Sequence, residues 1–332
     1  MIPIEAINNV KHIITHAHCP DGVASAILLK DILPDAALAF MGYQSRELKA
    51  LPAGPNMLFC DIVPPEDRAQ EFIDAGAIVL DHHKGVKDLI GRFGERGVFA
   101  DEFDDPGVSG AVLAFEHVWK PLYANSSGEP CSEEFKAEEN AKWFALLVGI
   151  RDTWQRHHPT WTAACNLSAA LQFMPWNHWE LKEPRFNDAK EWRNAIKLGM
   201  GIRERHLDRV NHVVKQARFF ESAQKTKVWT MPGGFHNEFA TDAADVLGDQ
   251  ADLVVTFDHQ WDGHQDLQLS LRSRGAFDCK AFCKEYGGGG HTNAAGCTVR
   301  DVGGGPYRYI QDAIEAFEAS QSHPVSSRFV SG

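Results

Sequence analysis

The sequence predicts an α/β protein with two lobes: an N-terminal domain built on a parallel sheet, and a smaller C-terminal α/β domain joined to it by a long helix. In the first half, continuous apolar runs alternate with amphipathic segments, which is typical of a parallel sheet covered by helices on both faces. A charged amphipathic segment at 187–217 is typical of a connecting helix. The short apolar runs that follow, separated by Gly and Asp, predict the second unit.

In the first half of the chain, the predicted strands and helices alternate. They are HIITHA (12–17), DGVASAILLKDIL (21–33), ALAFMGY (37–43), NMLFCDI (56–62), PPEDRAQEFIDAG (64–76) and AIVLDHH (77–83). Helical periodicity then continues through SGAVLAFEHVWKPLY and EEFKAEENAKWFALLVGIRDTW. In the second half, KVWTMPG, ADLVVTFD and LQLSLRS are predicted strands, and NAAG, at the end of YGGGGHTNAAG, is helix-like.

Composition excludes several classes of protein. The 332 residues are 44% apolar, which is ordinary for a chain with a core, and no apolar run is long enough to span a bilayer. The N-terminus lacks the pattern of a secretory signal, so we expect a soluble, cytoplasmic protein. Seven cysteines without a CxxC pair indicate neither a disulfide framework nor a thiolate zinc site. A formal charge of −12 disfavours a protein that follows long nucleic acid or duplex electrostatically.

Carboxylates and imidazoles stand where neighbouring strands are predicted to end, with one more acidic residue breaking an apolar helical run. In an open parallel sheet, ligands bind at the carboxyl ends of the strands. The candidates are His16, His18, Asp21, Asp61, Asp81, His82, His83 and Asp152. Such a cluster needs positive charge, and mixed His and Asp donors favour two divalent cations, with Mn²⁺ first and Mg²⁺, Fe²⁺ or Co²⁺ open.

Each of these residues also has an ordinary structural interpretation. A lone Asp after a strand, such as Asp61, is commonly a helix cap or a turn residue. A His pair at a strand end is commonly a hydrogen-bonded surface feature, and Asp152 could pair with the neighbouring Arg151. The coincidence of several such sites at strand ends favours the metal-binding interpretation.

These motifs resemble those of the DHH phosphoesterase family, which includes RecJ exonucleases, nanoRNases and exopolyphosphatases. VLDHHKG matches the motif that names the family, FCDI is similar to the single-Asp motif before it, and GIRDTW is similar to the fourth, Asp-bearing motif. YGGGGHTNAAG resembles the signature of the DHH-associated C-terminal domain. The resemblance implies a metal-binding catalytic domain at 1–186, a connector helix at 187–218 and a substrate-binding domain at 219–332.

The first motif departs from the family pattern. Relatives carry one His and two Asp there, whereas HAHCPDG offers His16, His18 and a single carboxylate, Asp21. Aligning Asp21 with the second Asp leaves His18, or less favourably Cys19, at the position of the first.

The resemblance also implies a role for each site residue. One ion is expected on His16, His18 and the bridging Asp61, and the second on Asp21, Asp61, His82 and Asp152. Asp81 is expected to orient His82, and His83 to face the substrate phosphate, so these two are the predicted catalytic residues besides the metal ligands. Ser109 and Gly110 are expected to cap a helix, and a cap at the cleft can also offer N–H groups to an anion. Phosphate binding is assigned to Arg272, with Arg274 as the alternative, and to Gly288, Gly289, Gly290 and His291.

The expected chemistry is hydrolysis of a phosphoester by a hydroxide that two metal ions activate. The sequence has no G-x-S-x-G elbow that would suggest a serine nucleophile. The acidic balance favours short oligonucleotides or small nucleotides, cleaved in the manner of a 3′-to-5′ exonuclease or nanoRNase. An exopolyphosphatase and a non-catalytic nucleotide or phosphate sensor remain alternatives. Trp154, Trp161, Trp176 and Trp179 could stack bases or pack in the core, and a homodimer is expected from the resemblance alone.

Overall fold

The computed structural model describes residues 2–43, 45–100, 107–126, 132–180, 186–233, 237–259, 266–300, 302 and 305–322. The chain divides into two compact units, Met1–Glu204 and Arg205–Gly332. Within the described ranges, every helix is too short or too polar to cross a bilayer.

The first unit is built on a five-stranded parallel sheet. Its strands are β1 (His12–His16), β2 (Ala37–Met41), β3 (Met57–Cys60), β4 (Ile78–Asp81) and β5 (Gly97–Phe99), in the order β2-β1-β3-β4-β5. Every residue of β3 and β4 is buried. This agrees with their continuous apolar sequences, since a parallel sheet has both faces covered by helices.

Helices cover this sheet and form most of the core. They are α1 (Ile4–Asn8), α2 (Pro20–Ile32), α3 (Arg46–Ala50), α4 (Ala69–Asp74), α5 (Lys87–Gly91), α6 (Gly110–Ala114), α7 (Lys120–Ser126), α8 (Ser132–Asp152), α9 (Trp161–Phe173) and α10 (Trp176–Glu180), together with the first part of α11 (Lys190–Val214), whose later residues belong to the second unit. A π-helical turn, Phe115–Trp119, joins α6 to α7. One face of the sheet packs with α2, α6, α8 and α9 around a large apolar cluster, and a smaller cluster lies around Phe59 and Phe72.

The second unit contains a mixed six-stranded sheet. Its strands are β6 (Arg218–Glu221), β7 (Lys227–Pro232), β8 (Leu253–His259), β9 (Leu267–Ser273), β10 (Gly289–His291) and β11 (Ala294–Val299), in the order β10-β11-β9-β8-β7-β6. All its pairs are antiparallel except β7 with β8. The helices of this unit are α12 (Asn237–Leu247), α13 (Cys279–Glu285) and α14 (Pro306–Ser322).

The predicted fold class is confirmed: a parallel sheet in the N-terminal part, a separate mixed sheet in the C-terminal part, and helices between them. Several local predictions differ from the structure. The strands β5, β6 and β10 were not predicted, because segments of three or four residues show no clear periodicity. The helix predicted at NAAG is wrong: its alanines begin β11, where small side chains let β10 pair closely alongside.

Candidate metal centre

The predicted site residues meet where the order of the parallel sheet reverses. The chain places β2 on one side of β1 and β3 on the other, which opens a crevice at the carboxyl ends of the strands. His16 is the last residue of β1, Asp61 directly follows β3, and Asp81 is the last residue of β4. Three successive positions of the sheet therefore deliver polar side chains to one edge.

Asp61 occupies the middle of this group. Its backbone has a φ of +61°, in the left-handed region that a residue with a Cβ seldom adopts. One carboxylate oxygen, Oδ2, lies 3.6 Å from His16 Nδ1, and the other, Oδ1, lies 3.4 Å from His82 Nε2. The carboxylate thus faces His16 with one oxygen and His82 with the other, and His83 Nδ1 lies 3.8 Å from the second oxygen, Oδ1.

The second cluster surrounds His82. Its Nε2 lies 3.6 Å from Asp21 Oδ2 and 3.4 Å from Asp152 Oδ2, in addition to its approach to Asp61. Asp21 lies in the first turn of α2, which starts with Pro20, a residue suited to the first helical position. Asp152 is the last residue of α8.

Asp21 is held in place by the start of α6. Its Oδ1 accepts hydrogen bonds of 2.8 Å from both the Ser109 hydroxyl and the Ala111 backbone N–H, and its Oδ2 accepts one of 2.6 Å from the Gly110 N–H. Ser109 is the N-cap residue of α6, as expected, but its hydroxyl donates to Asp21 and makes no capping bond. A carboxylate at a helix N-terminus is stabilised by the unpaired amides there.

Asp81 organises the DHH segment. Its Oδ1 accepts from the backbone N–H groups of His82 (2.7 Å) and His83 (3.0 Å) and lies 2.6 Å from the Nδ1 of His83. Its Oδ2 accepts a 3.0 Å hydrogen bond from the Tyr43 hydroxyl. The ring that Asp81 holds is therefore that of His83, whereas its contact with His82 runs through the backbone.

The charges of the cluster oppose one another. Burial, followed by the charges of Asp61 and Asp152, raises the pKa of Asp21 well above its usual value. Burial also raises the pKa of Asp152. Burial alone would raise the pKa of Asp61 too, but hydrogen-bonding approaches from His16 and His82 lower it. Added positive charge among these groups would relieve the repulsion between the carboxylates.

The imidazoles respond in the opposite sense. Burial disfavours the charged form of His83, but its hydrogen bond to Asp81 and the charge of that carboxylate raise its pKa to about 9. Burial likewise disfavours charge on His82, yet Asp61, Asp152 and Asp21 raise its pKa well above the usual value. In the absence of a cation, these neighbours therefore favour the protonated forms of His82 and His83.

The donor atoms fit divalent cations. The two Asp61 oxygens, His16 Nδ1 and His82 Nε2 are all buried and have no hydrogen-bond partner among the described residues. Their N···O separations of 3.4 and 3.6 Å exceed a good hydrogen bond. Two donors that bind one ion at about 2.0–2.2 Å lie about 3.0–3.5 Å apart. The centre is therefore a candidate acidic metal site, with Asp61 facing both halves.

The structure separates two neighbours in the first motif. Ligand atoms of His16, Cys19 and Asp61 all lie within 4.8 Å of one another, and so do those of Asp21, His82 and Asp152. His18 is exposed, has a φ of +58° and belongs to neither group. The sequence favours His18 beside His16 and Asp61. In the structure, Cys19 lies there instead.

The predicted phosphate-binding residues lie in the second unit. Arg272, near the end of β9, is half-buried, and its Nε donates a 2.8 Å hydrogen bond to the Thr241 hydroxyl of α12. Arg274 lies beyond the strand, exposed, with its Nη2 2.9 Å from Asp245 Oδ1. Burial lowers the pKa of Arg272.

The glycine run has a packing role as well. Gly289–His291 form β10, and the His291 side chain lies outside the described part of the structure. Gly290 has a φ of +134°, and a Cβ there would lie 2.5 Å from the Ala294 carbonyl oxygen. A Cβ on Gly288 would meet the Gly296 carbonyl oxygen at 2.3 Å, whereas one on Gly289 would meet nothing within 4 Å. Two of the three glycines are thus required by strand pairing.

Most of the tryptophans after Asp152 belong to the core. Trp179 is buried, and Trp161 and Trp176 pack against the large apolar cluster. Trp154 differs, because it is 37% exposed, has a φ of +57° and stacks with Arg151 and Arg156. It lies two residues beyond Asp152.

Sequence reasoning missed Tyr43, and it missed the partner of the start of α6. Tyr43 touches Asp81, the Asp61 carbonyl oxygen and His83, but a single Tyr after a strand carries no recognisable signal. For the start of α6, the sequence predicts a helix cap that can offer N–H groups to an anion, but it does not identify that anion as the Asp21 carboxylate. The α6 start, GVSGA, places Ser before small residues, which predicts a helix start and gives no indication of the carboxylate that it binds.

Comparisons with known proteins agree with this architecture. Residues 225–322 match the DHHA1 domain family. The fold is shared with the exonuclease RecJ bound to manganese, at 17% identity and a TM-score of 0.58, covering 95% of this chain and 92% of that one. No curated protein sequence matches significantly.

Two further solved structures share the fold. RecJ from Thermus thermophilus, in complex with Mn²⁺, aligns at 17% identity and a TM-score of 0.54 over 95% of this chain and 53% of that one. An exopolyphosphatase-related protein from Bacteroides fragilis aligns at 12% identity and a TM-score of 0.50, over 96% and 94%. The chain therefore carries a DHHA1 domain at residues 225–322 and shares its fold with RecJ.

Proposed function

We propose that the protein is a metal-dependent phosphoesterase that hydrolyses short oligonucleotides or small nucleotides. The observation that carries the proposal is the Asp61 carboxylate: it is 1% exposed, both oxygens lack a hydrogen-bond partner among the described residues, and His16 and His82 approach it on opposite oxygens. A buried carboxylate in this state is costly unless it binds cations. The DHHA1 match and the fold shared with the exonuclease RecJ support phosphoester hydrolysis as the use of such a centre.

Two divalent ions, when bound, would neutralise phosphate charge and lower the pKa of a water molecule. Asp61 would hold both ions, with Asp21, His82 and Asp152 on one side and His16 on the other. His83 is 31% exposed, so its ring can reach a ligand, and Asp81 fixes the proton on Nδ1. The pKa of His83 is raised to about 9, so its charged form is favoured at neutral pH. In that form the ring would donate a hydrogen bond to a phosphate oxygen.

The net charge of −12 supports a short substrate, because long strands gain affinity chiefly from cationic surfaces. Trp154 offers an exposed ring close in sequence to Asp152, suited to stack on a base. We assign recognition of a substrate phosphate to Arg272 and to the glycine strand with His291. Mn²⁺ is the proposed ion, since oxygen and imidazole donors accommodate it.

A substrate panel tests the proposal. The purified chain is incubated with Mn²⁺ and, separately, a labelled dinucleotide, phosphoadenosine phosphate, a cyclic dinucleotide, polyphosphate and a 30-nucleotide single strand. We expect mononucleotide release from the short substrates. Asp61→Asn and Asp61→Ala should lower that rate by about 10³-fold or more, because both halves of the centre lose their common ligand. Asp88→Asn, which alters an exposed carboxylate of α5, is the matched control.

Other outcomes of the panel contradict the proposal in distinct ways. Orthophosphate release from polyphosphate, without cleavage of any nucleotide, would indicate an exopolyphosphatase. In that case Trp154→Ala should leave the rate unchanged, since polyphosphate has no base to stack. A non-catalytic sensor would be indicated if the wild-type protein binds a nucleotide tightly but does not cleave it with any divalent cation tested.

A further inference from the structure

We propose that Cys19 is a metal ligand and makes the centre chemically asymmetric, with one thiophilic half and one oxygen-rich half. This inference rests on the proposed metal centre and specifies its donors. The thiophilic half consists of His16, Cys19 and Asp61, whose ligand atoms lie within 4.8 Å of one another. The oxygen-rich half consists of Asp21, His82 and Asp152.

The backbone sets Cys19 in place. The residue is the N-cap of α2, with extended backbone angles, and Pro20 follows it at the first helical position. Its carbonyl oxygen accepts the 3.0 Å hydrogen bond from the Val23 N–H, which closes the first turn. His16 is three residues upstream, at the end of β1. The short link between strand and helix therefore turns the thiol back toward the strand end.

The donor atoms of His16 and Asp61 next to Cys19 make no hydrogen bond to any described residue. Asp61 is 1% exposed, and its Oδ2 and the Nδ1 of His16 are buried without hydrogen-bond partners. Their 3.6 Å separation leaves room for an ion between them. Cys19 is the third donor at this point, whereas His18 is exposed and outside the group.

The chemical consequence is a difference in metal preference between the halves. A thiolate is a soft donor that favours Zn²⁺, Co²⁺, Fe²⁺ or Cd²⁺, whereas carboxylate oxygens with one imidazole suit Mn²⁺ or Mg²⁺. The protein should therefore bind one ion of each kind.

Cobalt absorption spectroscopy of the full-length, metal-free protein tests the assignment. Addition of Co²⁺ to the wild type should produce a near-ultraviolet band of thiolate-to-cobalt charge transfer. Cys19→Ser and Cys19→Asp should lack that band, and the Asp variant should still bind Co²⁺, as its visible ligand-field bands would show. Cys19→Asp should also lower the affinity for Cd²⁺ relative to Mn²⁺ by about tenfold or more.

Two variants serve as controls. Cys60→Ala removes another buried thiol of the same unit and should keep the band. His18→Ala should keep both the band and the Co²⁺ affinity. Loss of Co²⁺ affinity in His18→Ala, with the wild-type band absent, would overturn the assignment.

The results separate this inference from the proposed function. Co²⁺ that binds the wild type without a charge-transfer band refutes the thiolate ligand and leaves the metal centre intact. A wild-type protein that binds no divalent ion refutes both the centre and the ligand.

Discussion

At the residue scale, Tyr43 shows how an uncharged side chain orders a charged site. Its hydroxyl donates to Asp81 Oδ2 at 3.0 Å and lies 3.1 Å from His83 Nδ1. Its ring also packs edge-on against His16, with 4.8 Å between the ring centres. Tyr43 therefore connects one imidazole of the thiophilic half to the carboxylate that holds His83, without offering a metal ligand of its own.

We predict that Tyr43→Phe lowers kcat on a dinucleotide by about 10–100-fold, with little change in KM, because Asp81 loses one of the hydrogen bonds that fix His83. Steady-state kinetics and metal titration measure the effect. Tyr123→Phe, which alters a phenol stacked on Trp119, is the control and should behave as the wild type. An unchanged kcat in Tyr43→Phe would show that the hydroxyl does not position the site.

At the element scale, the close approach of α6 to the sheet and to α2 brings the two acidic ligands together. Gly110 starts α6 and donates its N–H to Asp21. A Cβ at this position would lie 2.6 Å from the Cβ of Asp61 and 2.9 Å from Asp21 Oδ2. The absence of a side chain here lets one helix start contact two carboxylates at once.

We predict that Gly110→Ala lowers the free energy of unfolding by about 1–3 kcal/mol, because the new methyl group displaces packed atoms. It should also weaken Mn²⁺ binding, since Asp21 and Asp61 move. Gly91→Ala is the control: Gly91 ends α5, a Cβ there meets nothing within 4 Å, and the change should be neutral or mildly stabilising. Urea unfolding and calorimetric titration give both quantities. Wild-type Mn²⁺ affinity in Gly110→Ala would contradict the proposed ligands.

At the scale of the whole molecule, the first unit gathers like charges at one edge of its sheet. Asp21, Asp61 and Asp81 are at most 1% exposed, and the chain as a whole is acidic. Cations that bind the folded state and not the unfolded chain therefore stabilise it by mass action.

We predict that Mn²⁺ at 100 times its dissociation constant raises the free energy of unfolding by about 2.7 kcal/mol, and that a chelator reverses the gain. Scanning calorimetry with and without Mn²⁺ measures it. Asp61→Asn should respond much less, while Asp88→Asn should match the wild type. Equal stabilisation of Asp61→Asn would place the ion elsewhere.

Much of the site was predictable because parallel strands end at a common edge. His16, Asp61, Asp81 and the two histidines after it follow apolar strands, and each arrives at the predicted edge. For Arg272, by contrast, the sequence left Arg274 as an equally patterned alternative. The contact of Arg272 with Thr241 of α12 depends on how that helix packs, which strand periodicity does not encode.

The sequence by itself determined the fold class, the strands that carry the acidic and imidazole side chains, and the edge where they gather, because hydrophobic periodicity and strand direction are local properties of the chain. Only the tertiary structure decided that Cys19 and not His18 faces Asp61, that Asp81 holds the ring of His83, and that Tyr43 and the start of α6 complete the site. These outcomes depend on distances between segments far apart in sequence and on backbone angles at single residues. Tertiary packing determines these distances and angles, and the residue pattern of a single segment does not predict them.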